Sequence, residues 1–241
     1  MKLLEISTHE YAKLEPRLCF WPVGTIEAHD QGPLGTDVIA PEKLATDLAA
    51  EFEAILLPTL PYGLVSSLSG YPGGMWVSQE TYKDVIFELL SSLALSGVES
   101  VIIFNGHGGN TQTLSEVLPE VWKENGMKAA YLDWWTFGKE LSDERFGSAA
   151  GHGGADELAL VYMANPRIVP EVWDGSRAFR YRDGVKSWPS PRSSIKYSDE
   201  PAKPLTPESA KAYYESLKSE LRFLIKEILE GWNEFNQLGE C

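Results

Sequence analysis

Three short glycine-rich stretches hold the residues of this sequence that can do chemistry. GTIEAHDQGPLGTD (24–37) carries Glu27, His29 and Asp37, FNGHGGN (104–110) carries His107, and GHGGADE (151–157) carries His152, Asp156 and Glu157. Three of the chain's four histidines fall in these stretches. Imidazole and carboxylate are the groups that divalent transition metals take from proteins. If the stretches converge, they build a metal site able to activate water.

Each stretch also has a plainer reading. Glu27 and His29 stand two residues apart, so in extended chain both side chains leave on one face. There they bind neighbouring ions, clamp a single one, or simply decorate a surface loop. Asp37 can return through Gly-Pro-Leu-Gly, and its two oxygens suit it to bridge two ions. It also suits an acid capping a helix opened by Pro41. N-G-H-G-G-N follows an apolar run, where glycines let backbone approach a ligand closely. The loop amides near Gly108 and Gly109, with the helix N-terminal amides beyond them, could stabilise an oxyanion; a simple tight turn is the alternative. An esterase oxyanion loop is discounted, because the chain has no G-x-S-x-G elbow. His152 precedes a helix start and could be a base, an acid or a ligand. Glu157 could be a ligand or only favour the helix dipole, and Asp156 reads as a cap or supporting acid. Tyr71, Trp76, Trp134 and Trp135 could wall a pocket for a flat polar ring, or pack in the core.

The elements that must position these groups alternate. RLCFWPVG (17–24) reads as a buried strand, 40–53 as a helix and AILLPTLP (54–61) as a strand stopped by prolines. A Gly/Ser-rich loop (64–78) precedes a helix capped by Ser78, with Val85, Leu89 and Leu93 on one face. ESVIIFNG (99–106) is the clearest strand. Asn110 would cap the following helix, which Pro119 should kink or split. KAAYLDWW (128–135) reads as a fourth strand and 156–164 as a helix. Residues 166–204 read as irregular cover or an assembly arm. A long helix over about 206–232, capped by Thr206, carries the stripe Ala210, Tyr213, Leu217, Leu221, Leu224, Ile228 and Trp232. Alternating strands and helices predict an α/β fold, a three-layer sandwich around a mainly parallel sheet. Ligands in such folds bind beyond the carboxyl ends of the strands.

Composition narrows the function. The 241 residues fit one domain. A net charge of −14 disfavours nucleic acid and anionic lipid as partners. No apolar run reaches the ~18 residues of a membrane span. The N-terminus lacks the apolar core of a signal peptide, so a cytoplasmic location is expected. Cys19 and Cys241 lie at opposite ends and read as two separate thiols rather than a disulfide.

The motifs E-x-H…T-D, N-G-H-G-G-N and H-x-G-x-x-E, in this order over roughly residues 20–165, resemble the creatininase (creatinine amidohydrolase) family. The resemblance implies an α/β/α sandwich, a homohexamer, a small-molecule substrate and a two-metal centre of zinc, manganese or iron. It also implies metal-assisted hydrolysis of a C–N bond in a cyclic amide or formamide. By position, Glu27 and His29 would each hold one metal, Asp37 would bridge them, and His107 would join the metal of Glu27. Where creatininase has a glutamate two residues after that histidine, this chain has Gly109, and Glu157 is the replacement expected. His152 matches the family's proton-shuttling histidine. The stretch EAHDQG lacks the family's second histidine after E-x-H. SLSGYPGG has Ser67 and Leu68 where the family has Glu and His. These departures fall on the substrate side and imply a substrate other than creatinine. Two rivals stay open: a metal-dependent hydrolase of a cyclic polyol-derived ketone or lactone, and a non-catalytic metal-binding scaffold.

Overall fold

A computed structural model describes residues 1–14, 18–65, 68–169, 179–181, 195–197 and 205–238. Four strands form the central sheet: β1 (Leu18–Val23), β2 (Ile55–Leu56), β3 (Ser100–Asn105) and β4 (Lys128–Asp133). All are parallel, in the order β2-β1-β3-β4. The chain leaves β1 for β2 on one side and later returns to place β3 on the other. The gap between the carboxyl ends of β1 and β3 is therefore a topological switch point, where helices diverge and leave a crevice. The register is unbroken from Leu18↔Ser100 to Val23↔Asn105, so both strands end at the same level.

Pro22 sits inside β1, where a proline costs a ladder donor. Its position explains why it is tolerated. Alternate residues bond towards alternate neighbours, and Pro22 faces the β2 side after that two-residue strand has ended. There its carbonyl accepts from the Leu60 amide at 3.1 Å.

The strands read as continuous apolar runs because both faces are covered. On one face Phe20, Ile102, Phe104 and Leu132 pack against α2 (Thr36–Glu51), α7 (Ala155–Ala164) and α8 (Pro207–Leu238). On the other, Cys19, Trp21, Val23, Val101 and Ile103 pack against α3 (Gln79–Leu95) and α4 (Gly108–Asn125). The period-2 alternation of the strands thus divides the core into two layers, and with the sheet makes a three-layer sandwich. Short helices α1 (Thr8–Leu14), α5 (Trp134–Phe137) and α6 (Lys139–Phe146) complete this part. α8 spans 32 residues, about 48 Å at the usual rise. Thr206 caps it through Oγ1 to the Ser209 amide, and Ala210, Tyr213, Leu217 and Leu221 of the expected stripe are buried.

Several boundaries differ from expectation. α2 begins at Thr36, so Asp37 lies in its first turn and Pro41 inside it. α4 runs through Pro119 without a break. Its N-cap is His107, and Asn110 is buried within the first turn. The buried face of α3 is Tyr82, Ile86 and Leu90, while Leu89 is exposed. β2 has two residues, because Pro58 and Pro61 leave little ladder to extend. β4 stops at Asp133, and Trp134 and Trp135 begin a helix. Within 166–204, β5 (Phe179–Tyr181) pairs antiparallel with β6 (Ile195–Tyr197). Most of that segment, Arg17, Ser67 and Cys241 lie outside the described residues. Cys19 is a buried free thiol that burial pushes up to about 12, so it is inert at neutral pH.

Candidate metal centre

The three stretches converge at the carboxyl ends of β1 and β3. β1 runs directly into Gly24 and the loop bearing Glu27 and His29. Within that loop, the Gly32 amide donates to the His29 carbonyl at 2.8 Å and the Glu27 amide to the Leu34 carbonyl at 3.1 Å. This tight return brings Asp37 back to His29. β3 runs into Gly106 and His107. Gly24 and Gly106 are needed for a close approach: a Cβ on either would lie 2.1 or 1.8 Å from the Asp37 main-chain oxygen. Pro41 offers no N–H to that carbonyl four residues before it. The backbone of Asp37 is thus wedged between the two strand ends.

Asp37 stands at the centre. Its Oδ1 lies 2.8 Å from His29 Nε2, and its Oδ2 lies 2.9 Å from His107 Nδ1. Glu27 Oε1 is 3.3 Å from His107 Nδ1 and 3.7 Å from His152 Nδ1. Glu157 Oε2 is 3.6 Å from His29 Nε2 and accepts from the Gly153 amide at 2.7 Å. Ligand atoms therefore gather in three groups: Glu27, Asp37 and His107; His29, Asp37 and Glu157; Glu27, His29 and His152. The first two share Asp37 through different oxygens.

Each imidazole is held from behind by a backbone carbonyl. His29 Nδ1 faces the Glu27 carbonyl at 3.0 Å, His107 Nε2 the Leu64 carbonyl at 2.8 Å, and His152 Nε2 the Ala28 carbonyl at 2.6 Å. A carbonyl only accepts, so the nitrogen facing it carries the hydrogen. The opposite nitrogen of each ring then turns a lone pair towards carboxylate oxygens. Such an arrangement is repulsive unless a proton or a metal ion lies between. With His107 Nδ1 bare, two buried oxygens, Glu27 Oε1 and Asp37 Oδ2, have no hydrogen-bond donor among the described residues. Carbonyl-backed histidines aimed at orphaned carboxylates are the donor set of a divalent metal site, and they fit two ions.

Without metal, protons fill that role. Burial opposes charge on His29, but Asp37, Glu157 and Glu27 raise it to about 10. His107 is likewise disfavoured by burial yet lifted to about 9 by Glu27 and Asp37. Burial works against ionised Asp37 too, but His29 and His107 hold it well below the usual carboxylate range. Burial pushes Glu27 up to about 7 and Glu157 well above its ordinary value. His152 goes the other way. Burial and the neighbouring His29 charge push it down to about 3, and its ring stacks on His29 with centroids 4.2 Å apart.

A family model described as creatininase, creatinine amidohydrolase, matches residues 4–216. This chain belongs to the creatininase family. The match reaches beyond the motif-bearing region on both sides, into α1 and α8. Three similar solved structures are forms of creatininase. A point mutant complexed with creatine is 22% identical with a TM-score of 0.77, over 94% of this chain and 97% of that one. A zinc–zinc form of a point mutant is 21% identical, TM-score 0.75, over 94% and 97%. A manganese form is 20% identical, TM-score 0.73, over 94% and 97%. At these identities they show the shared fold. No curated protein matches the chain significantly.

Other residues of this creatininase-family chain are placed as follows. Asp156 Oδ1 accepts from the Gly151 amide at 2.9 Å and so braces the turn before α7. Gly108 and Gly109 open α4, where the first amides lack intrahelical acceptors. Trp135 lies beside Gly108, since a Cβ there would be 3.7 Å from Trp135 Cζ2. Tyr71 and Trp76 are 39% and 47% exposed. Their loop is tied to the site, because the Met75 amide donates to the Ile26 carbonyl and Trp76 bridges Gly63. Trp134 departs from the expected pocket wall. It is 2% exposed, packs in the core and meets Trp135 edge-on. Leu68 is buried. Sequence reasoning missed Asn105, Asp133 and the Leu64 carbonyl. The asparagines flanking the histidine motif were a visible signal for part of this, but a main-chain carbonyl leaves none.

Proposed function

We propose that this protein is a metal-dependent amidohydrolase that cleaves the C–N bond of a cyclic amide or formamide. The observation carrying this reading is the two-sided engagement of Asp37, whose oxygens face His29 and His107 in separate ligand groups. Glu27, Asp37 and His107 would hold one divalent ion, and His29, Asp37 and Glu157 the other. Such ions supply Lewis acidity and lower the pKa of bound water toward about 7. Zinc and manganese are named for similar creatininase structures, and iron suits the same donors.

The chain's own residues complete the chemistry. In the metal-free protein burial and the neighbouring His29 keep His152 neutral at pH 7, and its Nδ1 lies 3.7 Å from Glu27 Oε1. It takes a proton at Nδ1 from the attacking side and passes it to the leaving nitrogen. Glu157 combines ligation with a share in this transfer. The amides of Gly108 and Gly109 face developing charge on the carbonyl oxygen. Trp135, Tyr71 and Trp76 flank the substrate, with Trp134 supporting Trp135 from the core. The reading also includes a single domain, a small-molecule substrate, assembly as a homohexamer and a cytoplasmic location. Among the described residues no helix is long and apolar enough to cross a membrane.

Elemental analysis and a screen of cyclic amides and formamides test the proposal. About two divalent ions per chain and chelator-sensitive hydrolysis are expected. Activity confined to cyclic ketones or lactones, or metal that never supports hydrolysis, overturns it. His152→Ala should keep both ions while turnover falls by about 10²–10⁴-fold, the usual worth of general acid–base help. Loss of metal from that variant would make His152 a ligand instead.

Metal uptake should depend on pH. In the metal-free protein the raised pKa values of His29 and His107 stabilise the fold fully below pH 6.5. That contribution is lost as pH climbs through about 9 to 10. Divalent ions must displace those protons. Each displaced proton adds about tenfold in affinity per pH unit. Apparent affinity should therefore rise at least about a hundredfold between roughly pH 6.5 and 8.5. Chelator-competition titrations read this directly, and a flat profile contradicts the proton-filled site.

A further inference from the structure

We propose that Asn110 is a positioning residue that selectively sets the His107 half of the two-metal site, acting through the Leu64 backbone. The inference rests on the metal-site reading above. Asn110 is fully buried, and its side chain hydrogen-bonds to Leu64, Gly24 and Asn105 rather than to a proposed ligand side chain. Its Oδ1 accepts from the Leu64 amide at 3.0 Å. The Leu64 carbonyl, on the same residue, receives His107 Nε2 at 2.8 Å. Asn110 Nδ2 points back to the Gly24 carbonyl at 3.4 Å and to Asn105 Oδ1 at 3.3 Å. The amide orientation is unambiguous, since the Leu64 N–H requires an acceptor. The fit is tight: a Cβ on Gly63 would lie 2.4 Å from Asn110 Oδ1.

Asn105 holds the other side of the same histidine. Its Nδ2 donates to the His107 carbonyl at 2.9 Å and its Oδ1 accepts from the His107 amide at 3.2 Å. Asn105 is fixed in turn by Asp133 Oδ1 at 2.7 Å, while Thr111 Oγ1 donates to Asp133 Oδ2 at 2.9 Å. The ends of β1, β3 and β4 and the Leu64 loop are thereby locked into one frame around His107. His29 is held differently, by the carbonyl of Glu27 in its own loop. The two halves have separate supports, so damage to one should be separable from damage to the other.

Partners that orient a metal-binding histidine typically change affinity about 10–100-fold when lost. Asn110→Ala, and the isosteric Asn110→Asp, should weaken one of the two ions by that factor. Asn110→Asp keeps an acceptor for Leu64 but sets an oxygen against Gly24 and Asn105. The other ion should stay within about threefold of the wild type, inside the range of indirect effects. Gln112→Ala, on the exposed side of the same helix, should change neither. Zinc titrations of purified full-length protein against a chromophoric chelator read both affinities without an activity assay. Circular dichroism confirms that each variant is folded. Both ions retained at wild-type affinity, or both weakened equally, would overturn the selective role. A wild-type protein that binds no zinc would instead refute the metal-site reading itself.

Discussion

Asp37→Ala is expected to strip both metal ions from the protein and to lower turnover by about a thousandfold or more, a loss of several kcal/mol of charge stabilisation. No other residue is shared between the two ligand groups that include His107 and His29 separately from His152. Removing it deletes one donor from each ion at once and leaves no carboxylate between the two imidazoles. His29→Ala or His107→Ala deletes a donor from one ion only, so each should bind about half the metal. The contrast separates a bridge from an ordinary ligand. Elemental analysis of the three variants, beside a cyclic-amide assay, makes the comparison. Asp37→Ala protein that still carries two tightly held ions would show that the site is built on other atoms. Asp37→Asn would probe charge at constant shape, and it too should lose metal, because an amide supplies only one oxygen.

Gly106→Ala should be the most damaging single-methyl change in the site. The added carbon would sit 1.8 Å from the Asp37 main-chain oxygen and 2.8 Å from Pro41 Cγ. Neither neighbour is the end of a flexible side chain. Relief requires moving helix α2 away from the strand ends. Overpacking of a tight core costs about 1–3 kcal/mol, and this overlap lies at or beyond the upper end. A chain of this size then melts about 6–12 °C lower. Because the displaced residue is Asp37, metal should be lost with stability. Gly231→Ala is the matching control. Among the described residues nothing lies within 4 Å of a Cβ there, towards the C-terminal end of α8. Helix propensity should make it neutral or more stable by about 0.5–1 kcal/mol. Calorimetry of both variants tests the pair. An unaltered melting temperature in Gly106→Ala would mean that α2 is not held against β1 and β3 as described.

The fold was largely readable because its strands are covered on both faces. RLCFWPVG and ESVIIFNG each contain an unbroken apolar run, LCFWPV and VIIF, that suits a buried parallel strand, and both run into glycine and the chemical residues. Boundaries were less readable where long-range packing outweighs local preference. Pro41 suits a helix start, yet α2 begins five residues earlier, because Asp37 must meet two strand ends. Pro119 lies inside α4 without breaking it. The face of α3 was misjudged by one position along the helix, since Val85, Leu89 and Leu93 share the spacing of Tyr82, Ile86 and Leu90. Trp134 and Trp135 looked alike on paper, and the fold buries one and leaves the other beside Gly108.

The order of three short motifs pointed to the family, and residue type and periodicity along the chain gave away the parallel layered fold and the supply of imidazoles and carboxylates. Which oxygen faces which nitrogen was beyond reach. The pairing of Asp37 with His107, the return of Glu157 to His29, and the backing of His107 and His152 by the Leu64 and Ala28 carbonyls join segments far apart in the chain, while the contacts of His29 with Asp37 and the Glu27 carbonyl depend on how one loop folds back on itself. Main-chain groups are the same in every residue, so no pattern of letters reveals where they point. Their directions follow from the twist and register of the sheet and from two glycines that let a helix touch its strands.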